Sequence, residues 1–264
     1  MTENAHPTSR ADPGGRLVDV GGYRLWVHVA GTGSPTLVFE SGGGDTSKVW
    51  SPIATDLGPR LAVRTVVYDR AGLGNSEPSS RPYRIDEEAT ALRTALTASG
   101  VEGPWILVAH SYGGFISLLL AATDPRVAGL VLVDANMPGF FTEGQVARLL
   151  ARSAPRMEAM QRAYPQVARV MIPLNLALRE TSERVRSIDV PSSLPIVDIV
   201  AERSWIDQPD EVAAMRREHA SFVAASPQRE AVFATGSGHY VMVDRPDLVV
   251  DAIARLVGRI REGT

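Results

Sequence analysis

The sequence predicts an α/β fold, a mostly parallel, doubly wound sheet that opens with an antiparallel hairpin and carries an inserted helical segment. Three observations carry this expectation. Short runs that are apolar on both faces alternate with helical stretches, as parallel strands covered by helices do. A period-two segment brackets a Gly-Gly pair near the N-terminus. One long stretch has helical character and no strand within it.

Taken in order, residues 1–15 are rich in Pro, Gly and polar side chains, and a disordered lead-in is expected there. Residues 16–31, RLVDVGGYRLWVHVAG, alternate apolar and polar positions on either side of Gly21-Gly22, which predicts two antiparallel strands and a two-residue turn. The apolar runs at 36–40, 61–69, 105–110, 129–135, 194–202 and 230–236 read as strands. Between them, 84–100 with Gly100 as its stop, 112–125, 208–227, and 244–260 with Pro246 near a first turn, read as helices. Residues 136–190 pass through several helical patterns without a strand. They are expected to form a helical cap inserted into a body made of 16–135 and 191–264.

A chain of 264 residues suits one such domain with an insertion. A net charge of -3 offers no electrostatic reason to bind nucleic acid or an anionic membrane, so a small molecule is the expected partner. The absence of cysteine excludes disulfides, thiolate catalysis and cysteine-held metals. No H-E-x-x-H spacing occurs, and neither metal nor organic cofactor is expected. No apolar run approaches the roughly 18 residues of a membrane span and the first residues lack an apolar signal core, which points to a cytoplasmic protein. Lys48 stands alone among arginines, a bias read as that of a GC-rich bacterial genome.

The chemistry centres on WILVAHSYGGFISLLLAA, residues 105–122. Ser111 falls where a strand must turn at once into a helix. Such a turn strains the central residue and demands small neighbours two positions away, which Ala109 and Gly113 supply. The pattern reads A-x-S-x-G where G-x-S-x-G is usual, a difference of one methyl group. A serine after a strand can also be an ordinary helix N-cap.

The region resembles the α/β-hydrolase family, and the resemblance extends beyond the turn. Tyr68-Asp69-Arg70-Ala71-Gly72-Leu73-Gly74-Asn75-Ser76 is similar to that family's Asp-Arg-x-Gly-x-Gly-x-Ser loop, and 37–44, LVFESGGG, stands where its His-Gly oxyanion segment lies. The match runs over 17–135 and 194–260 and leaves the cap uncovered. It implies an α/β-hydrolase fold and a serine nucleophile activated by a histidine. Of the five histidines, His239 has the expected place, after the last apolar run and before the last helix. His110 is expected to pack or to sit near the oxyanion, while His28, His219 and His6 belong to the hairpin, an amphipathic helix and the tail.

The third member implied is a carboxylate that orients the histidine. On the family's commonest register Ser204 stands where the acid would be. Some members carry it at the end of the preceding strand, where this chain has Asp134; Glu202, Asp207 and Asp210 are the alternatives. Asp198, inside an apolar run, is expected to hydrogen-bond a loop. The oxyanion donors implied are the amides of Tyr112 and Gly43, with Gly44 the alternate to Gly43. Ser41, Gly44, Met137, Phe140, Phe141, Met160 and Tyr240 are expected at the substrate pocket, with Met157, Tyr164, Met171 and Leu174 also available from the cap. Arg148, Arg152, Arg156 and Arg162 are expected on the cap's solvated face.

The activity implied is hydrolysis of a carboxylic ester or lactone of a small, largely apolar substrate through an acyl-enzyme. Carbon-carbon bond hydrolases, amidases, thioesterases and perhydrolases share the serine triad, and a non-catalytic ligand-binding protein could share the fold. Epoxide hydrolases and haloalkane dehalogenases, which use a carboxylate nucleophile, are disfavoured by the serine at 111.

Overall fold

A computed structural model describes residues 14–263, so the lead-in expected over 1–15 lies outside the described residues except for Gly14 and Gly15. The strands are β1 (Arg16–Asp19), β2 (Arg24–Ala30), β3 (Thr36–Glu40), β4 (Arg64–Tyr68), β5 (Trp105–His110), β6 (Val127–Val133), β7 (Ile196–Ala201) and β8 (Arg229–Ala234). The helices are α1 (Ser51–Leu61), α2 (Ile85–Ala98), α3 (Gly113–Thr123), α4 (Glu143–Ala163), α5 (Pro165–Leu176), α6 (Leu178–Arg186), α7 (Pro209–Ala224), α8 (Val241–Asp244) and α9 (Pro246–Glu262).

One eight-stranded sheet runs in the order β1-β2-β4-β3-β5-β6-β7-β8. The pairs β1–β2 and β2–β4 are antiparallel and the remaining pairs parallel. Gly21 and Gly22 turn the first hairpin with φ of 95° and 113°, values that residues bearing a Cβ rarely adopt. The predicted strand over 61–69 begins only at Arg64. Leu61 instead ends α1, a helix the apolar pattern did not announce because Pro52, Gly58 and Pro59 interrupt it.

Side chains alternate across the sheet. Val38, Leu107 and Leu132 join a core with α2 and α3, while Phe39, Val108 and Val133 join a second core with α1 and α9. Helix α3 is apolar on every side, and it is buried along Gly113–Ala121 between its sheet, α2 and α6. Between β6 and β7 the chain forms a short 3₁₀ turn and then α4, α5 and α6, with no strand. This insertion has no separate core: Phe141, Leu149, Leu174 and Leu178 belong to the same cluster as Leu107 and Phe115.

The order in the sheet reverses between β3 and β5, since the chain leaves β3 toward one edge and continues from β5 toward the other. A crevice at the carboxyl ends of the strands is therefore expected between Glu40 and His110.

Asp198 corrects an expectation. In β7 it lies between Val197 and Ile199, which face α9, and so points to the opposite side, where its Oδ2 is 2.8 Å from Nδ1 of His219 on α7 rather than bonded to a loop. Both groups are buried. Burial works against the imidazolium, but the Asp198 carboxylate outweighs it and holds His219 above the ordinary imidazole value of 6.5. Burial still raises the Asp198 carboxyl, so pairing offsets only part of the desolvation cost.

A raised histidine stabilises the fold below its unfolded pKa, and that contribution is lost as pH rises through the higher folded value. Urea unfolding between pH 6 and 9 is expected to show stability falling over this window, with the slope reduced in Asp198→Asn. Asp198→Ala, which leaves a buried imidazole without its partner, is expected to cost about 3 kcal/mol. An unchanged slope in Asp198→Asn would assign the pH dependence elsewhere.

Candidate active site

The turn at Ser111 is built by its neighbours. Ser111 has φ of 51°, in the left-handed region. Its amide donates to the Val133 carbonyl at 3.2 Å, and its own carbonyl accepts from Asn136 at 2.9 Å and Gly114 at 3.0 Å. The helix can start at once because Gly113 and Gly114 follow. A Cβ at Gly113 would lie 2.5 Å from Glu40 Cγ, and one at Gly114 would lie 2.7 Å from Ala135 Cβ. Ala109 is fully buried, so a larger residue has no room there.

His239 sits on the loop between β8 and α8, which is pinned at both glycines. The Gly236 amide donates to Glu202 Oε2 at 2.5 Å and the Gly238 amide to Asp244 Oδ2 at 2.6 Å. His239 Nδ1 is 2.6 Å from Asp134 Oδ2, and the other Asp134 oxygen accepts from the Ala201 amide at 3.1 Å. Asp134 itself has φ of 42°, a second strained position at a strand end. A carboxylate can only accept, so Nδ1 carries the hydrogen and Nε2 is left as the ring's acceptor.

The alternative acids stand elsewhere. Glu202 holds the Gly236 amide, Asp207 accepts from Gln208, and Asp210 lies in the first turn of α7. Ser204 Oγ accepts from the Ile206 amide.

Ser111 and His239 line one cavity of about 270 Å³. Gly43, Gly44, Tyr112 and Tyr240 also line it. The insertion supplies Phe141, Met157, Met160, Met171, Leu174 and Leu178. Met171 lies over the glycine segment: a Cβ at Gly43 would be 3.3 Å from its Cε. Ser41, Met137 and Phe140, expected at the pocket, are not part of its wall. Ser41 Oγ turns to the Thr46 carbonyl, while Met137 and Phe140 are buried in the core that the insertion shares with α3. Tyr164 is largely exposed and also off the wall. Two larger concavities, of about 590 and 740 Å³, lie beside β2–α1 and beside the loop 71–84, and neither brings a serine to a histidine–carboxylate pair.

Several polar groups at the cavity carry no signal in the local sequence. Arg156 is exposed, as expected, and also reaches the wall, as do Ser153, Asn175, Asn136 and Trp205. Asp45 also lines it, and its carboxylate accepts from the Tyr240 hydroxyl at 3.1 Å and lies 3.6 Å from His110 Nδ1. Burial pushes the Asp45 carboxyl upward, but His110, Tyr240 and Arg70 outweigh it and hold it below the usual range. His110 is more than packing: its Nε2 donates to the His239 carbonyl at 3.1 Å and the two rings lie 4.4 Å apart. Burial lowers its pKa.

Behind the glycine segment is a buried charged cluster. Arg70 Nη1 donates to Glu40 Oε1 at 2.9 Å, and Tyr68 donates to the other Glu40 oxygen. Burial lifts the Glu40 carboxyl to about 7 against the pull of Arg70 and Tyr68. Among the described residues no group of His, Cys, Asp and Glu is arranged to hold a metal, and no helix is long and apolar enough to cross a membrane.

With fold and geometry in hand, comparison with known proteins defines the class. A model of the alpha/beta hydrolase family matches residues 37–252, and the chain belongs to that family. YqjL, an uncharacterized protein of Bacillus subtilis, is 25% identical over 236 residues, covering 86% of this chain and 85% of its own. Among solved structures, the enol-lactonase of Burkholderia xenovorans superposes with a TM-score of 0.64 at 19% identity, over 92% of this chain and 100% of its own. A thermophilic esterase of Thermogutta terrifontis gives 0.64 at 23% identity, over 90% and 94%. At these identities the structural likeness shows the fold alone.

The strain at Ser111 has a measurable consequence. Non-glycine residues in this region cost about 1–3 kcal/mol, and glycine carries only part of that as lost chain entropy. Ser111→Gly is expected to be about 1 kcal/mol more stable than Ser111→Ala in urea unfolding. Equal stabilities would show that the bend is not strained.

Proposed function

We propose that the chain is a serine hydrolase that cleaves a small carboxylic ester or lactone through an acyl-enzyme. The observation that carries this reading is the 2.6 Å hydrogen bond from His239 to Asp134 at the cavity that Ser111 also lines. Membership of the alpha/beta hydrolase family supports it.

In this mechanism the Ser111 hydroxyl attacks the carbonyl carbon and His239 Nε2 takes its proton. The carbonyl oxygen becomes an oxyanion held by the amides of Tyr112, at the start of α3, and Gly43. Each such donor is worth roughly 3 kcal/mol in the transition state. Asp134 holds His239 in the required tautomer and stabilises the imidazolium, which then protonates the leaving alkoxide. Water, deprotonated by His239, cleaves the acyl-enzyme and restores Ser111.

The methionines, Leu174 and Phe141 favour an apolar acyl or alcohol portion that adapts to a flexible wall. The cavity volume of about 270 Å³ favours a small one. A soluble, cytoplasmic setting and a small-molecule partner complete the reading, and the helices from 143 to 186 act as its cap.

A fluorophosphonate probe is expected to label the wild type and not Ser111→Ala. In a panel of aryl esters, lactones, anilides and vinylogous diketones, esters or lactones should turn over fastest; turnover of diketones alone would overturn the assignment. Asp134→Asn is expected to lower kcat by about 10,000-fold while the fold persists by circular dichroism, and Asp207→Asn to leave it within about twofold. The reverse pattern would move the acid's role to position 207.

A further inference from the structure

The carbonyls of three successive residues converge on one guanidinium. Arg70 Nη1 donates to Ser41 O at 2.6 Å, and Arg70 Nη2 donates to Gly42 O and Gly43 O. The same Nη1 holds Glu40 Oε1, and Glu88 Oε2 lies 3.9 Å from Nε. Arg70 is 2% exposed and Glu40 1%, so this pair is sealed behind the segment, while Gly43 and Gly44 line the cavity in front.

The geometry of the peptide unit turns this into a statement about the donors. In a trans peptide the C=O of one residue and the N–H of the next point in opposite directions. The 42–43 and 43–44 bonds are trans, since the cis bonds among the described residues precede Pro35 and Pro104. Carbonyls drawn toward Arg70 therefore turn the amides of Gly43 and Gly44 away from it. Glycines alone would let those peptide planes rotate freely.

We propose that the buried Glu40–Arg70 pair is a positioning device that fixes the peptide planes of Gly42–Gly44, so that the amides of Gly43 and Gly44 are presented to a substrate oxyanion before it forms. This rests on the serine-hydrolase reading above. Arginine is required because its planar fork presents several fixed donors at once, whereas an ammonium on a flexible stem presents three from one nitrogen. Glu40 anchors the fork at the same Nη1 that holds the Ser41 carbonyl, and it offsets a charge that would otherwise be costly to bury. Preorganised donors of this kind act in the transition state and add little to substrate binding.

The test compares an aryl ester with its thionoester, in which the developing anion is a larger, weakly accepting sulfur that profits little from the amides. In Arg70→Lys, kcat/KM for the oxoester is expected to fall about 100-fold, mostly in kcat, and that for the thionoester less than about fivefold. Glu40→Gln, nearly isosteric, is expected to show the same selective loss at about tenfold, and it decides the matter if Arg70→Lys does not fold by circular dichroism. Equal losses on both substrates, or no loss on either in a folded variant, would overturn the positioning role while leaving the hydrolase reading intact. Wild-type turnover that survives Ser111→Ala would instead overturn the reading on which it rests.

Discussion

The reversal of the chain at Ser111 is the constraint on which the rest of the molecule depends. A strand that becomes a helix within one residue forces φ into the left-handed region, and the strain is held by three neighbours at once. The end of β6 accepts the Ser111 amide, Asn136 caps its carbonyl, and the Gly113 backbone lies against Glu40 and Ser41 at the end of β3. The three strand ends are thereby locked at the point where the sheet order reverses. That is where an open α/β sheet has a crevice to offer a ligand.

Around this crevice several buried or half-buried carboxylates stand against basic side chains. Glu40 with Arg70, Asp45 with His110, Asp134 with His239 and Asp198 with His219 all lie near the carboxyl ends of the parallel strands or one turn below them. Each group has lost most of its water, and a lone charge there would be costly. Pairing makes the burial tolerable and ties elements that are far apart in the chain. His110 links two of these pairs, since one ring nitrogen holds the His239 backbone and the other faces Asp45. The pairs differ in what they hold: one orients a side chain at the cavity, one holds a glycine segment, and the Asp198–His219 pair fastens α7 to β7 away from it.

The helical insertion packs onto the body because it cannot bury its apolar face alone. Phe141, Leu149, Leu174 and Leu178 enter the core that α3 forms with the sheet, which ties α4–α6 to the body. The same packing brings Met171 over Gly43–Gly44 and Met157 and Met160 to the cavity lining. Unbranched thioethers at these places can change rotamer at low cost, which leaves that wall adaptable.

Much of this was legible in the chain itself, because strand alternation, glycine at strained turns and the order of chemistry-bearing residues are local properties. The double-faced apolar runs announced the parallel strands, Gly21-Gly22 the hairpin, and Ala109 to Gly114 the bend at Ser111, since sterics at one turn depend on adjacent residues. Helix α1 escaped because its prolines and glycine break the period that marks a helix. The places of Ser41, Met137 and Phe140 off the cavity wall were not legible because a residue's side of a loop or helix depends on what packs against it. Only the tertiary structure decided that Asp134 rather than Glu202 meets His239, that Asp198 finds His219, and that Arg70 gathers the carbonyls of Ser41 to Gly43. Those contacts join residues tens to more than a hundred positions apart. Spacing along the chain carries no information about such distances, whereas the cost of an unpaired buried charge makes the folded protein bring the partners together.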